Sequence, residues 1–290
     1  MRSLNDAATT NLRPDAASSE GVPGRKNRGG YWSRLPVALR RAILVAGMVA
    51  AWQLYVSLSG VQPLVLPGPV DVAVAFWDGW TEGRLALATL VTLKTLCIGM
   101  LAGTAVAFLL TVLATWTRVG EDLLSLLTSM FNPVPAIAIL PLAILWFGLN
   151  PRALVFVIVY SIIWPIAINL STGFKTVNPT IMMVGRNLGL RGWRMVGDVL
   201  MPAALPHTIS GLRTGWAFGW RTIVAAELVF GVAGKGGGLG FFINDARYFL
   251  RIPEVFAGIL TIALIGILVE VVFNAVERRT VIRWGMKSGT

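Results

Sequence analysis

The sequence contains few of the residues on which catalytic and metal sites depend. Its 290 residues include one cysteine, Cys97, and one histidine, His207. A single cysteine excludes an internal disulfide, and a single histidine argues against a histidine-based metal site or catalytic relay. Charged residues make up only 13% of the chain, about half their share in soluble domains. No paired carboxylates, nucleophile–base pair or metal-ligand cluster stands out, so we predict no catalytic residue and no metal site.

Long apolar runs take the place of these polar residues. Hydrophobic residues make up 55% of the chain, and a helix that crosses a bilayer needs about 20 of them in succession. The sequence therefore predicts an all-α, polytopic membrane protein with about six transmembrane helices. The predicted spans cover residues 42–59, 85–116, 123–147, 153–171, 208–232 and 255–276.

Basic residues predict how these spans are oriented. Lys and Arg number 17 in the segments that an N-in, C-in topology places inside and 5 in those placed outside, as the positive-inside rule requires. Residues 1–41 are polar and lack the apolar stretch of a signal peptide, so we predict a disordered, basic cytoplasmic tail. Residues 42–276 then form the membrane domain, and residues 277–290 form a second cytoplasmic tail. A basic face over anionic lipid accounts for the net charge of +11 without nucleic acid.

One basic segment, at about residues 178–206, interrupts the apolar runs on the predicted cytoplasmic side. Its sequence, "GRNLGLRGWRMVGDVLMPAALP" from Gly185 to Pro206, predicts two short helices joined by a turn. Gly185 and Gly189 would allow a tight turn or the close approach of another surface. Periodicity alone is also compatible with an ordinary interfacial loop, anchored by Trp193 and the arginines.

The residue order of this segment resembles the cytoplasmic coupling loop of ABC importer permeases. That pattern is Glu-Ala-Ala, three residues, Gly, nine residues and Ile-x-Leu-Pro. Gly189 takes the glycine position, and "VLMP" takes the last position, but "MVG" replaces Glu-Ala-Ala. The residues that we assign to ATPase coupling on this resemblance are Met183, Val184, Gly185, Gly189, Val199, Met201 and Pro202.

The resemblance extends over roughly residues 62–285. "LVLPGPVDVAVAF", "NPVPAIAILPLAILWFGLNPRA", "GLRTGWAFGWRTIVAAELV" and "GLGFFINDARYFLRIPEVFAGI" look like the permease subunits of nitrate, sulfonate and taurine uptake systems. It implies a type I ABC importer permease fold in a bacterial inner membrane. It also implies a second permease copy, most simply in a homodimer, a cytosolic ABC ATPase dimer and an extracytoplasmic substrate-binding protein.

The chain itself is expected to carry no cofactor, because ATP and Mg²⁺ would bind to the partner ATPase. Its nearest imitation of a phosphate-binding loop, "GVAGKGGG" at 231–238, has Gly236 where that motif needs Ser or Thr after the lysine. The alternative function is a stand-alone secondary transporter or an integral membrane enzyme. Inverted repeats and mid-membrane acidic residues would favour this alternative, and neither is evident.

Charged residues inside the predicted spans are candidates for the transport pathway, since such residues usually face the protein interior or a water-filled cavity. Lys94 and Glu227 lie at similar depths and predict an ion pair. Such a pair could contact the substrate, but a purely structural pair, or a lysine that extends to the membrane surface, is the more ordinary interpretation. Arg221 lies deeper, with no acidic partner in its own helix, and is the candidate to meet a permeating anion. Arg213, near the inner end, fits a gate or anchor.

Prolines interrupt the third predicted span. Pro133, Pro135 and Pro141 free backbone carbonyls, which is tolerated only where protein or water satisfies them. This predicts an interior helix, with Asn132 as a pore-facing polar group.

A stripe of small residues in the fifth span predicts close helix packing. Gly211, Gly215 and Gly219 recur every four residues, which lets two helix backbones approach. The stripe fits packing inside one subunit or a seam between paired permeases.

Overall fold

A computed structural model describes residues 35–230 and 237–282 of the chain. Residues 1–34 of the predicted tail, residues 231–236 of the glycine-rich sequence "GVAGKGGG" and residues 283–290 lie outside the described residues. By internal packing the chain divides into two units, Met1–Ala51 and Trp52–Thr290. The described part of the first unit consists mainly of the start of one apolar helix, and the second unit contains the buried core.

The described residues are almost entirely helical, as the composition predicts. The first half holds α1 (Val37–Ser59), α2 (Pro69–Thr81), α3 (Arg84–Ala114), α4 (Arg118–Phe131), a 3₁₀ turn (Ala136–Ile139) and α5 (Leu140–Phe147). The second half holds α6 (Pro151–Lys175), α7 (Pro179–Asn187), α8 (Trp193–Met195), a π-helical turn (Val196–Leu200), α9 (Met201–Ala203), α10 (Leu205–Phe230), α11 (Leu239–Tyr248), α12 (Ile252–Glu277) and a second π-helical turn (Arg278–Ile282).

The predicted spans overlap these long helices, with three differences in detail. Four described helices, α1, α3, α6 and the run Ile252–Thr280, are long and apolar enough to cross a bilayer. The bent pair formed by Arg118–Phe131 and Ala136–Phe147 could supply a fifth span. Helix α10 is long enough at 26 residues, but its charged residues make it less apolar. Helix α1 begins at Val37, so the prediction that the tail extends to residue 41 is wrong for its last five residues.

The third predicted span is broken at the prolines. The axes on either side of the break differ by 89°, because Pro133 and Pro135 cannot donate the amide hydrogen bonds that would continue α4. The hydroxyl of Tyr160 in α6 donates to the carbonyl of Phe131 at 2.9 Å, and the rings of Phe131 and Trp164 stack with centroids 5.2 Å apart. Helix α6 therefore holds the broken end in place.

The core of the second unit consists of α3, α6 and α10, packed side by side. Leu96, Ile158, Ile162 and Ile223 are fully buried between them. Two glycines of α3 bring its backbone close to α6: a Cβ added at Gly99 would lie 2.5 Å from Ile158 Cγ2 and one at Gly103 3.1 Å from Ile162 Cγ2. Such tight contact between small and branched residues provides the dispersion energy of the core.

Candidate functional site

Residues 178–206, which the resemblance assigns to ATPase coupling and which we call the coupling segment, form the predicted pair of short helices. Helix α7 starts at a proline, which needs no amide partner in the first turn, and the side chain of Asn178 accepts a bond from Thr180 N at 2.8 Å. The second half runs helically from Trp193 to Ala203 through the π-helical turn, in which Met201 N donates to Val196 O. Pro202 has no N–H to donate to the residue four positions earlier, so the wider turn fits the sequence there.

Gly189 ends α7 in the way that only glycine allows without strain. Its φ is +78°, its amide donates to Arg186 O at 3.0 Å, and the next amide, Leu190 N, donates to Gly185 O at 3.0 Å. This pair of bonds is the Schellman motif, with glycine in the left-handed position. A Cβ added at position 189 would have no atom of the chain within 4 Å. The backbone of this turn is therefore exposed.

Gly185 has a different role, since it is buried and brings the two halves of the segment together. A Cβ at this position would lie 3.1 Å from Val199 Cγ2 and 3.2 Å from Met195 Sδ. The third position of the triplet, where the family pattern has alanine, is therefore packed against side chains inside the segment. Met183 and Val184, the first two residues of the altered triplet, are instead 55% and 52% exposed.

An apolar strip runs along the outside of the coupling segment. Ile181, Val184 and Leu188 lie on one face of α7 and are 48%, 52% and 74% exposed. On the other side, Val199 is buried, and Val196 and Leu200 pack into a small core with Phe174 of α6. Hence one face of the segment is anchored to the long helices while another face is exposed.

Two arginines line a cavity of about 350 Å³ between α10 and α12. Arg213 pairs with Glu270 of α12 through Nη2 and through Nε at 3.1 Å, and its Nη1 lies 3.6 Å from Glu277 Oε2. The arginine therefore ties α10 to α12, as an anchor would.

Arg221 lines the same cavity without a carboxylate partner among the described residues. Its Nε donates to the carbonyl of Ala217 one turn earlier at 3.0 Å, and its guanidinium lies 5.4 Å from the Phe218 ring centroid. The helix is intact there, so the bond does not repair a broken backbone. Arg221 is exposed, and its Nη donors form no hydrogen bond with a described residue.

The predicted Lys94–Glu227 ion pair does not form. Glu227 is only 4% exposed, and its carboxylate accepts bonds from Thr92 Oγ1 at 2.9 Å and Gly240 N at 2.9 Å. Thr92 Oγ1 in turn accepts from Leu239 N at 2.8 Å. The Lys94 side chain points to another face of α3, is exposed, and makes no ion pair with a described residue. A residue of α3 at the expected depth does contact Glu227. The rotation of α3 about its axis turns Thr92, and not Lys94, toward the carboxylate.

The three glycines of α10 face α6 of the same chain. All three are buried, and an added Cβ would lie 2.9 Å from Asn169 Cβ at Gly211, 2.8 Å from Ile166 Cδ1 at Gly215 and 2.8 Å from Ile162 Cδ1 at Gly219. The structure places the stripe in packing within one chain and not at a seam between copies.

Comparison with known proteins identifies the family. A family model described as the inner membrane component of binding-protein-dependent transport systems matches residues 97–282. The chain belongs to this family.

Full-length relatives agree with the family match. The chain is 30% identical over 279 residues to a Bacillus subtilis protein named as an aliphatic sulfonates transport permease, covering 96% of each chain. It is 29% identical to the taurine transport system permease protein of Escherichia coli, covering 81% of this chain and 86% of the relative. It is also 30% identical to the nitrate import permease protein of a Synechocystis strain, covering 88% and 94%.

Asn132, another pathway candidate of this permease, lies apart from the two arginines. It caps the end of α4 at the 89° break, where its amide donates to Thr128 O at 3.0 Å, and it is not among the residues that line the cavity of Arg213 and Arg221. Of the five pathway candidates, the structure places two, Arg213 and Arg221, in one cavity. Glu270 also lines this cavity and pairs with Arg213. Its position as an acidic residue late in an apolar span is the feature of the sequence that could have identified it.

Proposed function

We propose that the chain is the permease subunit of an ATP-driven, binding-protein-dependent importer of a small anionic solute, such as nitrate, a sulfonate or taurine. Two copies form the translocation pathway in a bacterial inner membrane. A dimer of cytosolic ATPases binds and hydrolyses ATP with Mg²⁺, and an extracytoplasmic protein delivers the solute. The chain itself performs no chemistry and binds no nucleic acid.

The coupling segment carries this proposal. Its anchored face is built into the core next to α6, while its apolar strip and the backbone at Gly189 face outward. An exposed apolar strip of this kind marks a surface for a protein partner. A rigid link from that surface to the membrane helices is what a permease needs to receive the motion of an ATPase.

The cavity of Arg213 and Arg221 supports an anionic solute. Unit charges 4 Å apart attract each other by about 4 kcal/mol at an effective dielectric constant of 20. Because Glu270 neutralises Arg213 and no described carboxylate pairs with Arg221, the uncompensated charge lies on Arg221. The names of the relatives, which concern sulfonates, taurine and nitrate, agree with a small solute of this type.

Gly189→Arg tests the coupling role. We expect the variant to reach the membrane but to lose uptake, because a β-carbon strains the left-handed turn by about 1–2 kcal/mol and the long side chain occupies the partner's contact surface. Substrate uptake and copurification of the ATPase with tagged permease are measured on the same membranes. Normal uptake by a well-expressed variant would rule out the coupling role. A wild-type permease that retains no ATPase would remove the importer proposal itself.

Arg221→Ala tests the pathway role. Uptake of the anion should fall by roughly tenfold or more, since losing even half of the attraction above exceeds 1.4 kcal/mol, while Arg221→Lys keeps part of the activity. Recovery of the assembled complex should not change. Arg152→Ala, which removes an exposed arginine at the start of α6, is the matched control. Full transport by Arg221→Ala would show that this arginine does not meet the solute.

A further inference from the structure

A second cavity, of about 540 Å³, lies where the coupling segment meets the ends of α3 and α6. Its floor is apolar and buried: Phe174, Val196 and Leu200 are 6%, 3% and 7% exposed. Its rim carries three basic residues, Lys175, Arg186 and Arg191, together with Glu121 and Trp116. A cationic rim above an apolar floor matches an anionic headgroup with attached acyl chains.

The rim keeps an excess of positive charge. Lys175 Nζ lies 3.9 Å from Glu121 Oε2, so these two side chains offset each other in part. Arg186 and Arg191 are exposed and form no ion pair with a described residue. Two guanidinium groups therefore offer planar forks of N–H donors, which suit phosphate oxygens.

The cavity lies on a different face of α7 from the apolar strip proposed for the ATPase. On a helix with 3.6 residues per turn, Met182 and Arg186 lie one above the other on the face of α7 that lines the cavity. The exposed strip of Ile181, Val184 and Leu188 lies on a different face. Arg186 is thus available to a ligand while the strip is covered by a partner.

We propose that this cavity binds the phosphate group of an anionic phospholipid from the cytoplasmic leaflet. Basic pockets between membrane helices on the cytoplasmic side are known to take such headgroups. The predicted N-in orientation places the cavity in that leaflet, and Trp116, which is 49% exposed in the rim, suits the interface. A bound headgroup would bridge α7 to the ends of α3 and α6 and so tie the coupling segment to the membrane helices.

Lipid retention by the purified full-length chain tests this proposal without the ATPase, so its outcome does not depend on the importer assignment. The protein is exchanged into detergent with phosphatidylglycerol or phosphatidylcholine, and bound lipid is counted by native mass spectrometry. Each basic residue near an anionic surface contributes about a factor of five to binding. The double variant Arg186→Gln, Arg191→Gln should therefore bind phosphatidylglycerol about 25-fold more weakly than the wild type.

Arg194→Gln is the matched control, because it removes an exposed arginine from the same segment that does not line the cavity. We expect it to keep the wild-type preference for phosphatidylglycerol. Equal retention by the double variant and the wild type would overturn the proposal. It would also be overturned if soluble glycerol phosphate displaced the lipid at equal concentration, because the site would then recognise a free anion. Equal retention of the two lipids by the wild type would also overturn the proposal, because both carry a phosphate and only phosphatidylglycerol carries a net negative charge.

Discussion

At the scale of single residues, glycine has two separate roles in the coupling segment. The family-like pattern places a glycine at 189, and the structure gives the physical reason: φ of +78° closes the Schellman turn that ends α7. Gly185 has no such backbone requirement and serves the close approach of Met195 and Val199. Sequence reasoning anticipated both uses but could not assign them, because a turn and a close contact demand the same residue.

The hydroxyl of Thr92 is predicted to hold α11 against α3 and α10. Thr92→Val leaves Leu239 N–H without its acceptor and removes a donor from the buried carboxylate of Glu227. A buried group left unsatisfied costs about 1–3 kcal/mol, so the thermal midpoint of the purified protein should fall. In Thr95→Val, the matched control, the lost hydroxyl bonds only to Val91 O of its own helix, and the midpoint should stay nearly unchanged. Equal shifts in the two variants would contradict the role of Thr92.

At the scale of helices, apolar length and proline position predicted most of the elements. The runs around α3, α6 and α12 were recognisable because each is longer than a bilayer needs, and Pro133 and Pro135 marked the break after α4. The sequence could not show which way each helix is rotated. That rotation pairs Glu227 with Thr92 in place of Lys94 and turns the glycines of α10 toward α6. Gly99 and Gly103 have the same four-residue spacing as the stripe in α10, but the sequence alone did not show that they pack against α6.

The packing of α10 on α6 should be intolerant of bulk at the glycine stripe. In Gly215→Leu the first added carbon would already lie 2.8 Å from Ile166 Cδ1, and overpacking of this kind costs about 1–3 kcal/mol or more. We expect a lower yield of monodisperse protein and a lower thermal midpoint. Gly47→Leu in α1, where an added Cβ meets nothing within 4 Å, should behave as wild type. If Gly215→Leu folded normally but no longer formed a dimer, the glycine stripe would instead lie between two copies of the chain.

At the scale of the whole molecule, the charges of α10 bear on whether this helix crosses the membrane. Helix α10 carries Arg213, Arg221 and Glu227, and these are the residues that make it less apolar than its neighbours. Two of them, Arg213 and Glu227, are satisfied by Glu270, Thr92 and Gly240. A helix whose charges are paired inside the protein can cross a bilayer at a lower cost than its composition indicates.

The natural scarcity of cysteine makes this topology directly testable. Starting from Cys97→Ser, which removes the only thiol, single cysteines are introduced as Asn187→Cys in α7 and Tyr248→Cys at the end of α11, both exposed positions. If α10 spans the membrane and the basic segments face inward, a membrane-impermeant maleimide should label Tyr248→Cys in intact cells and Asn187→Cys only after permeabilisation. The free energy behind this expectation is the cost of moving a basic segment across the bilayer. Labelling of both positions from the same side would show that α10 does not cross. Labelling of Asn187→Cys alone in intact cells would reverse the orientation of the permease and remove the coupling segment from reach of a cytosolic ATPase.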